Sequence, residues 1–273
     1  MNFSTAYLLV SHGSRDPRPQ VAIEELARLI RDRLAAEIPV PEELQTTPLR
    51  LPFGKARLQA PRRPAQRVME SSPLVGTAVL ELAPLPLHQQ IQRFGDRARA
   101  AGYGQVKILP LFLLPGVHVM EDVPAELAIA QAALGESIRL SLCTHLGSHP
   151  RLRTLLTLSA DTPPEVAKVI ISHGSRRPGG NQPVEAIAQH MGAAPAYWSV
   201  SPSLDSQVAA LVETGNQAIA ILPYFLFAGG ITDAIAQHLP HLAQRFPHIH
   251  LYLEDPIGAN AELADIAIEL LLA

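Results

Sequence analysis

The sequence holds one cysteine, Cys143, in 273 residues. That single thiol excludes an intramolecular disulfide framework, a CxxC redox pair and a cysteine-ligated zinc site or iron–sulfur cluster. Aromatic residues make up only 5% of the chain and tryptophan occurs once. Long apolar runs are also missing. The longest stretches, such as ILPLFLLPGV at 108–117, fall short of the ~20 residues a membrane-spanning helix needs and are broken by prolines. The first residues, MNFSTAYLLVSHGSRD, show neither a basic leader nor an extended apolar stretch, so the reading is a cytoplasmic protein without a signal peptide. Excess positive charge is absent too: 22 Lys and Arg stand against 25 Asp and Glu, a net charge of −3, which argues against a general nucleic-acid binder. What remains is 47% hydrophobic, enough for a substantial core, in a length that favours two compact domains.

The chain repeats itself. SHGSR stands at 11–15 and again at 172–176, an offset of 161. ILPLFLLPG at 108–116 returns as ILPYFLFAG at 221–229, an offset of 113, and THLGSHPRL at 144–152 resembles DPIGANAEL at 255–263. The matches keep their order, so the second half is a shorter copy of the first. The fall in offset leaves about 48 residues of the first half without a counterpart, and residues 39–73 are the candidate insertion.

Within each half, short Val/Ile/Leu runs alternate with helical periods. The first half reads as strand 6–10, helix 21–37, strand 77–83, helix 88–102, strand 105–112, helix 121–134, strand 138–143 and a last helix from about His149. The second half repeats the alternation, with AYWSV (196–200) as its second strand and a final helix at 262–273. Such a pattern predicts two tandem, repeat-related, doubly wound α/β domains with mainly parallel sheets, residues 1–158 and 166–273, joined near SADTPPEV (159–166). Ligands in these folds bind beyond the carboxyl ends of the strands, where both SHGSR stretches fall.

From the residues alone the motif has several readings. Gly13 suits a positive φ before a helix that can hold an anion, a weak phosphate-loop signal. A histidine-type phosphatase carries Arg immediately before His-Gly, and Ser11 stands there instead. A serine nucleophile calls for a G-x-S-x-G elbow, which is absent. A lone histidine after a strand also reads as a hydrogen-bonded loop residue, and Glu81 as a solvated strand-end carboxylate.

Taken with LELAPLPLHQQI (80–91), PLFLLPGVHVMEDVP (110–124) and LGSHPRL (146–152), and with PYFLFAGGITDAI (223–235) in the second half, the stretch His12-Gly13-Ser14-Arg15-Asp16-Pro17 resembles the class II tetrapyrrole chelatases, in particular the two-domain sirohydrochlorin chelatases. The resemblance covers nearly the whole chain except the insertion. It implies insertion of Fe2+ or Co2+ into sirohydrochlorin, with the divalent ion as substrate and no cofactor. It also implies that His12 and His118 form the histidine pair and that Glu81 takes the acidic position. All three sit at or just after the end of a predicted strand, and imidazole and carboxylate suit both the ion and the acceptance of two pyrrole protons.

The expected activity is a sirohydrochlorin ferrochelatase. A cobaltochelatase is the alternative, and a non-catalytic tetrapyrrole or metal carrier is the reading of a different class. The chain ends ELADIAIELLLA, without the His-rich or Cys-rich tail that cobalt enzymes of the family can carry, which tilts the expectation to iron. The expected partners are sirohydrochlorin and the ion, with no nucleic acid, membrane or obligatory protein partner.

Ser11, Arg15 and Arg57 are candidate substrate contacts. Arg57 belongs to a run from Arg50 to Arg67 with six basic residues and no acid. That run reads either as a solvated loop or as a basic flap for a substrate carrying eight carboxylates. His88, His145 and His149 read as structural, and Met120 as packing. Glu121 and Asp122 favour the helix start through its dipole, with a metal-delivery role left open. In the second half only His173 is retained: Ser199 aligns with Glu81 and Ile231 with His118, so the first half is expected to carry the chemistry.

Overall fold

The computed structural model describes residues 5–36 and 73–273. All but the last residue of the 39–73 insertion, Arg57 included, therefore lie outside the described residues. The first half runs β1 (Thr5–Ser11), α1 (Pro17–Ala36), β2 (Val75–Val79), α2 (Leu87–Ala100) and β3 (Gln105–Pro110). A π-helical turn (His118–Asp122) then leads into α3 (Val123–Leu134) and β4 (Arg139–Leu142). The second half runs β5 (Ala167–Ser172), α4 (Gln182–Met191), β6 (Ala193–Tyr197), α5 (Leu204–Glu213), β7 (Ala218–Pro223), α6 (Gly230–Arg245), β8 (His250–Leu253) and α7 (Ala261–Leu272). Among the described residues, no helix is long and apolar enough to cross a membrane.

Both sheets are four-stranded and wholly parallel. Their orders, β2-β1-β3-β4 and β6-β5-β7-β8, are the same order twice, as the sequence repeat requires. In each sheet the chain leaves its first strand to one side and later returns to the other. The switch point thus lies between β1 and β3, and between β5 and β7, at the end where the SHGSR loops emerge.

The two-residue period of the strands divides the core. Leu8 and Val10 of β1 and Val106 and Ile108 of β3 face α2 and α3, and Val169, Ile171, Ile219 and Ile221 do the same against α5 and α6. The alternate residues Leu9, Leu109, Ile170, Ala220 and Leu222 point the other way. They join Ile23, Leu26 and Ile30 of α1, Val184 and Ala188 of α4 and Leu263, Ile266 and Leu271 of α7 in one apolar cluster. The halves thus share a core, in which each fully buried Leu or Ile contributes roughly 1.5–3 kcal/mol of transfer free energy.

Several expectations are corrected here. Residues 146–155 form two 3-10 turns, Leu146–Ser148 and Pro150–Leu155, in place of an α-helix starting near His149. Helix α7 of the second half packs against α1, β3 and the second of these turns, so the apolar surface a fourth helix would cover is already filled. The strand expected at 196–200 is β6 at 193–197, ending before the turn that carries Ser199. The start of α1 also moves forward to Pro17. Proline loses nothing in a first turn, and Asp16 Oδ1 caps the helix by accepting the Arg18 N–H at 2.9 Å.

Candidate metal-insertion site

Three loops meet at the carboxyl end of the first sheet. After β1, the chain turns at Gly13, whose φ is +101°. A β-carbon at this position would lie 2.1 Å from the carbonyl oxygen of Glu81, so only glycine lets the loop after β2 cross this closely. That crossing is fixed by two backbone bonds, Leu80 N–H to Ser11 O at 2.8 Å and Glu81 N–H to His12 O at 2.9 Å. His12 and Glu81 are thereby held side by side. Gln90 of α2 fastens the same loop from behind. It accepts from Val79 N–H at 3.1 Å and donates to the carbonyls of Val79 (2.8 Å) and Leu85 (2.9 Å).

The third loop follows β3. Leu111 N–H bonds Val10 O at 2.7 Å, carrying the strand register one step past β3, and the chain then swings round to His118 at the head of the π-helical turn. Val119 is buried and anchors the turn. The His118 ring is aimed by Asp122, whose carboxylate lies 2.7 Å from Nδ1. With the proton on Nδ1 and donated to Asp122, Nε2 keeps its lone pair for a ligand. Widened turns of this kind recur at functional sites, and here the turn sets one imidazole against its neighbour.

The His12 and His118 rings stand edge to face with centroids 4.7 Å apart, and Phe112 lies 6.5 Å from the first and 6.2 Å from the second. One donor atom each from His12, Glu81 and His118 falls within 4.8 Å of the other two. Two imidazole nitrogens and a carboxylate at this spacing converge on one ion-sized position. Among the described residues this is the one such group of three or more His, Cys, Asp or Glu side chains. His12 and Glu81 are exposed and His118 is half-buried, so the site opens outward.

Beside the cluster lies a cavity of about 470 Å³. His12, Gly13 and Glu81 line one side, and Phe225, Leu226 and Phe227 of the second half line another. A second cavity of about 290 Å³ runs from His118 to His173 between the two halves.

The other candidates fall out as follows. Arg15 is exposed and no described residue pairs with it. Ser11 lines the larger cavity, but its Oγ is shielded from solvent and has no hydrogen-bond partner among the described residues, and Ser172 in the second loop shares both features. His88 is engaged by Glu126, which accepts from the His88 backbone N–H at 2.7 Å and lies 2.8 Å from its Nδ1. His149 Nε2 lies 2.9 Å from the Glu269 carboxylate and so ties the 3-10 turns to α7. Burial pushes the His145 imidazole pKa down and the Cys143 thiol up, away from a reactive thiolate. Glu121 faces Arg177 of the second half at 3.5 Å. Met120, expected to pack, is instead 62% exposed.

In the second half, Ser199 N–H bonds His173 O at 3.0 Å, the same bond that Glu81 makes to His12. The structural match therefore agrees with the alignment of Ser199 on Glu81. Ser199 Oγ turns back to the His173 carbonyl at 2.8 Å, and no carboxylate stands there. Sequence reading gave Asp122 a helix-dipole or metal-delivery role but missed its pairing with His118, and it missed Gln90 altogether. Asp122 had a usable signal, the four-residue spacing from His118 on a helical segment. Gln90 had none, because its partners are backbone atoms of a loop whose path only the fold defines.

The CbiX family model matches this chain twice, over residues 57–161 and 167–272. A curated relative, the sirohydrochlorin cobaltochelatase of Priestia megaterium, is 25% identical over 216 residues, covering 73% of this chain and 69% of its own. Among solved structures, the sirohydrochlorin chelatase SirB from Bacillus subtilis subspecies spizizenii in complex with cobalt aligns with a TM-score of 0.65 at 20% identity, over 98% of this chain and 94% of that one. SirB from Bacillus subtilis with Fe3+ aligns with a TM-score of 0.68 at 21% identity and the same coverage. The two parallel sheets, the repeated SHGSR loop and these matches agree, and the chain belongs to the CbiX family, with two tandem copies of its domain.

Proposed function

We propose that this chain is a metal chelatase, a lyase that inserts a divalent ion into sirohydrochlorin, with Fe2+ as the ion. The single observation that carries the reading is the convergence of His12, Glu81 and His118 within 4.8 Å at a sheet switch point, beside a cavity of about 470 Å³. Residues 1–158 supply the chemistry, and residues 166–273 supply the facing wall of the cleft.

Insertion exchanges one divalent cation for two pyrrole N–H protons, so charge balances without a redox partner. His118 Nε2, His12 and Glu81 hold the ion by three protein atoms and leave its remaining positions to water and then to ring nitrogens. As the ring nitrogens take the ion, the freed imidazoles and carboxylate are placed to accept the departing protons, the role general bases fill elsewhere. Asp122 supports this by stabilising the His118 ring as it gains positive charge. Arg15, an exposed guanidinium three residues after His12, is placed to meet a peripheral carboxylate of the macrocycle.

Cobalt is the second reading. The relative from Priestia megaterium is named a cobaltochelatase, and a His/His/carboxylate donor set accepts either metal. The test is one anaerobic assay of purified protein with sirohydrochlorin and Fe2+ or Co2+ in parallel, followed by absorbance. Faster turnover with iron supports the proposal, and faster turnover with cobalt moves the assignment to the second reading. Binding of sirohydrochlorin with no insertion of either metal makes the chain a carrier and overturns the chelatase reading.

A further inference from the structure

Resting on the tetrapyrrole reading of this site, we infer that Leu82, together with Met120, forms the apolar contact that positions the macrocycle over the His12–Glu81–His118 cluster. Leu82 has a φ of +60°, and among the described residues it is the one non-glycine with a positive φ, while eight glycines take that conformation. A side chain with a β-carbon is disfavoured there, and glycine or asparagine would relieve the strain. Burial does not repay it, because Leu82 is 59% exposed. The origin of the strain is local. Glu81 is pinned by its bond to His12 O and by the close pass of its carbonyl over Gly13, and the next residue must turn left-handed to leave. What the backbone does not explain is why that residue is a large aliphatic one aimed away from the core.

The second half serves as an internal control. The residue matching Leu82 is Val200, one step after Ser199. Its φ is not positive, and it is half-buried, packed against Gly174 and the shared core. The residue matching Met120 is Asp233, which is paired with Arg18. Thus the half that carries the His12–Glu81–His118 group exposes two apolar side chains, Leu82 next to Glu81 and Met120 two residues past His118. The half that lacks the cluster has packed one equivalent inward and made the other an ion pair. A flat conjugated ring with apolar faces and a carboxylate rim is the occupant such contacts suit. An aliphatic and a thioether group lie well against a π face, and Leu82 lines the same cavity as His12, Glu81 and Phe227.

The experiment compares the full-length wild-type chain with Leu82→Gly, Leu82→Met and Met120→Ala. Metal-free sirohydrochlorin is titrated by fluorescence quenching, Co2+ is titrated without tetrapyrrole, and insertion kinetics and melting temperature are measured. Leu82→Gly is expected to weaken sirohydrochlorin binding and raise KM about tenfold, the loss of one well-buried aliphatic contact. Its Co2+ affinity and melting temperature should hold, since glycine accepts the backbone conformation. Leu82→Met is expected to restore binding, and Met120→Ala to weaken it less than Leu82→Gly. Equal sirohydrochlorin affinity in wild type and Leu82→Gly overturns the inference, as does a loss of Co2+ binding or of melting temperature that accounts for the weakened binding. If the wild type inserts metal and the affinities are equal, only the role of Leu82 fails. If it binds sirohydrochlorin but inserts nothing, the chelatase reading fails and the affinity ratio still decides Leu82.

Discussion

Each proposed ligand is held by a neighbour that can be removed separately. Asp122 is not itself a proposed ligand, yet its carboxylate lies 2.7 Å from His118 Nδ1 and so would leave Nε2 for the proposed ion. Asp122→Asn keeps a hydrogen-bonding side chain of the same size but removes the charge that favours the ring as it gains a proton. Turnover is expected to fall roughly 10–100-fold, the usual cost of losing such a partner, with the tetrapyrrole KM little changed. Steady-state insertion kinetics check this, and unchanged turnover would reduce Asp122 to a helix residue. Gly13→Ala acts on position instead. Its β-carbon would meet the Glu81 carbonyl at 2.1 Å, so the loop must shift, and Co2+ binding to the apoprotein is expected to weaken even where the variant folds. His12, Glu81 and His118 stood out in the sequence because the motifs around them resemble the class II chelatases and each lies at or just after the end of a predicted strand. The exposure of Met120 was not legible, since periodicity does not distinguish a π-helical turn from an ordinary helix start.

Two ion pairs link the halves near the cleft, and both join an SHGSR loop to the other half. Arg18, just past the first loop, reaches Asp233 at the start of α6, with Nη1–Oδ1 at 3.0 Å, and also pairs with Asp16. Arg177, just past the second loop, faces Glu121 in the π-helical turn. Hydrogen bonds from Arg18 hold the carboxyls of both Asp16 and Asp233 below the usual carboxylate range. Because these folded-state values lie below the unfolded value of 3.8, the contribution is fully present above that pH and disappears as pH falls through the folded values. Arg18→Ala is therefore expected to lower the melting temperature by a similar small amount from pH 7 to pH 5, and the gap to wild type should close below about pH 3.8. Added salt should narrow it at neutral pH, since the pair is exposed. Melting curves across pH and salt give the answer, and a gap that widens in acid would contradict the assignment. At this scale the sequence showed the order of the strands, although β2 lies at 75–79 where 77–83 was expected and β6 is likewise displaced, but not that α7 would fill the place of the first half's missing helix. That outcome depends on which apolar faces meet, which no local pattern encodes.

At the scale of the whole molecule, one repeat brings His12, Glu81 and His118 together and the other keeps only the loop that carries the first histidine. His173 retains the backbone geometry of His12, with Ser199 in place of the carboxylate and Ile231 aligned with the second imidazole. The duplication, the parallel sheets and the asymmetry of the two halves were all legible from aligning the chain with itself. The shared core between the sheets was not, because an alternating strand looks the same whichever partner covers its second face. The run from Arg50 to Arg67 carries six basic residues and no acid. Deleting residues 48–68 is expected to raise the tetrapyrrole KM and flatten its salt dependence with kcat preserved, as fits a polyanionic substrate met by surface charge. Equal KM values for both forms at low and high salt would make the segment a solvated loop.

The most direct test of the division between the halves is a side-by-side insertion assay of His12→Ala and His173→Ala at matched folding, read by circular dichroism. Loss of a ligand and proton acceptor at the reacting ion is expected to cut turnover of His12→Ala by about 100-fold or more, while His173→Ala stays within about threefold of wild type. Equal losses in the two variants, or the greater loss at His173, would contradict a site confined to the first half and place the ion in the cleft between the repeats.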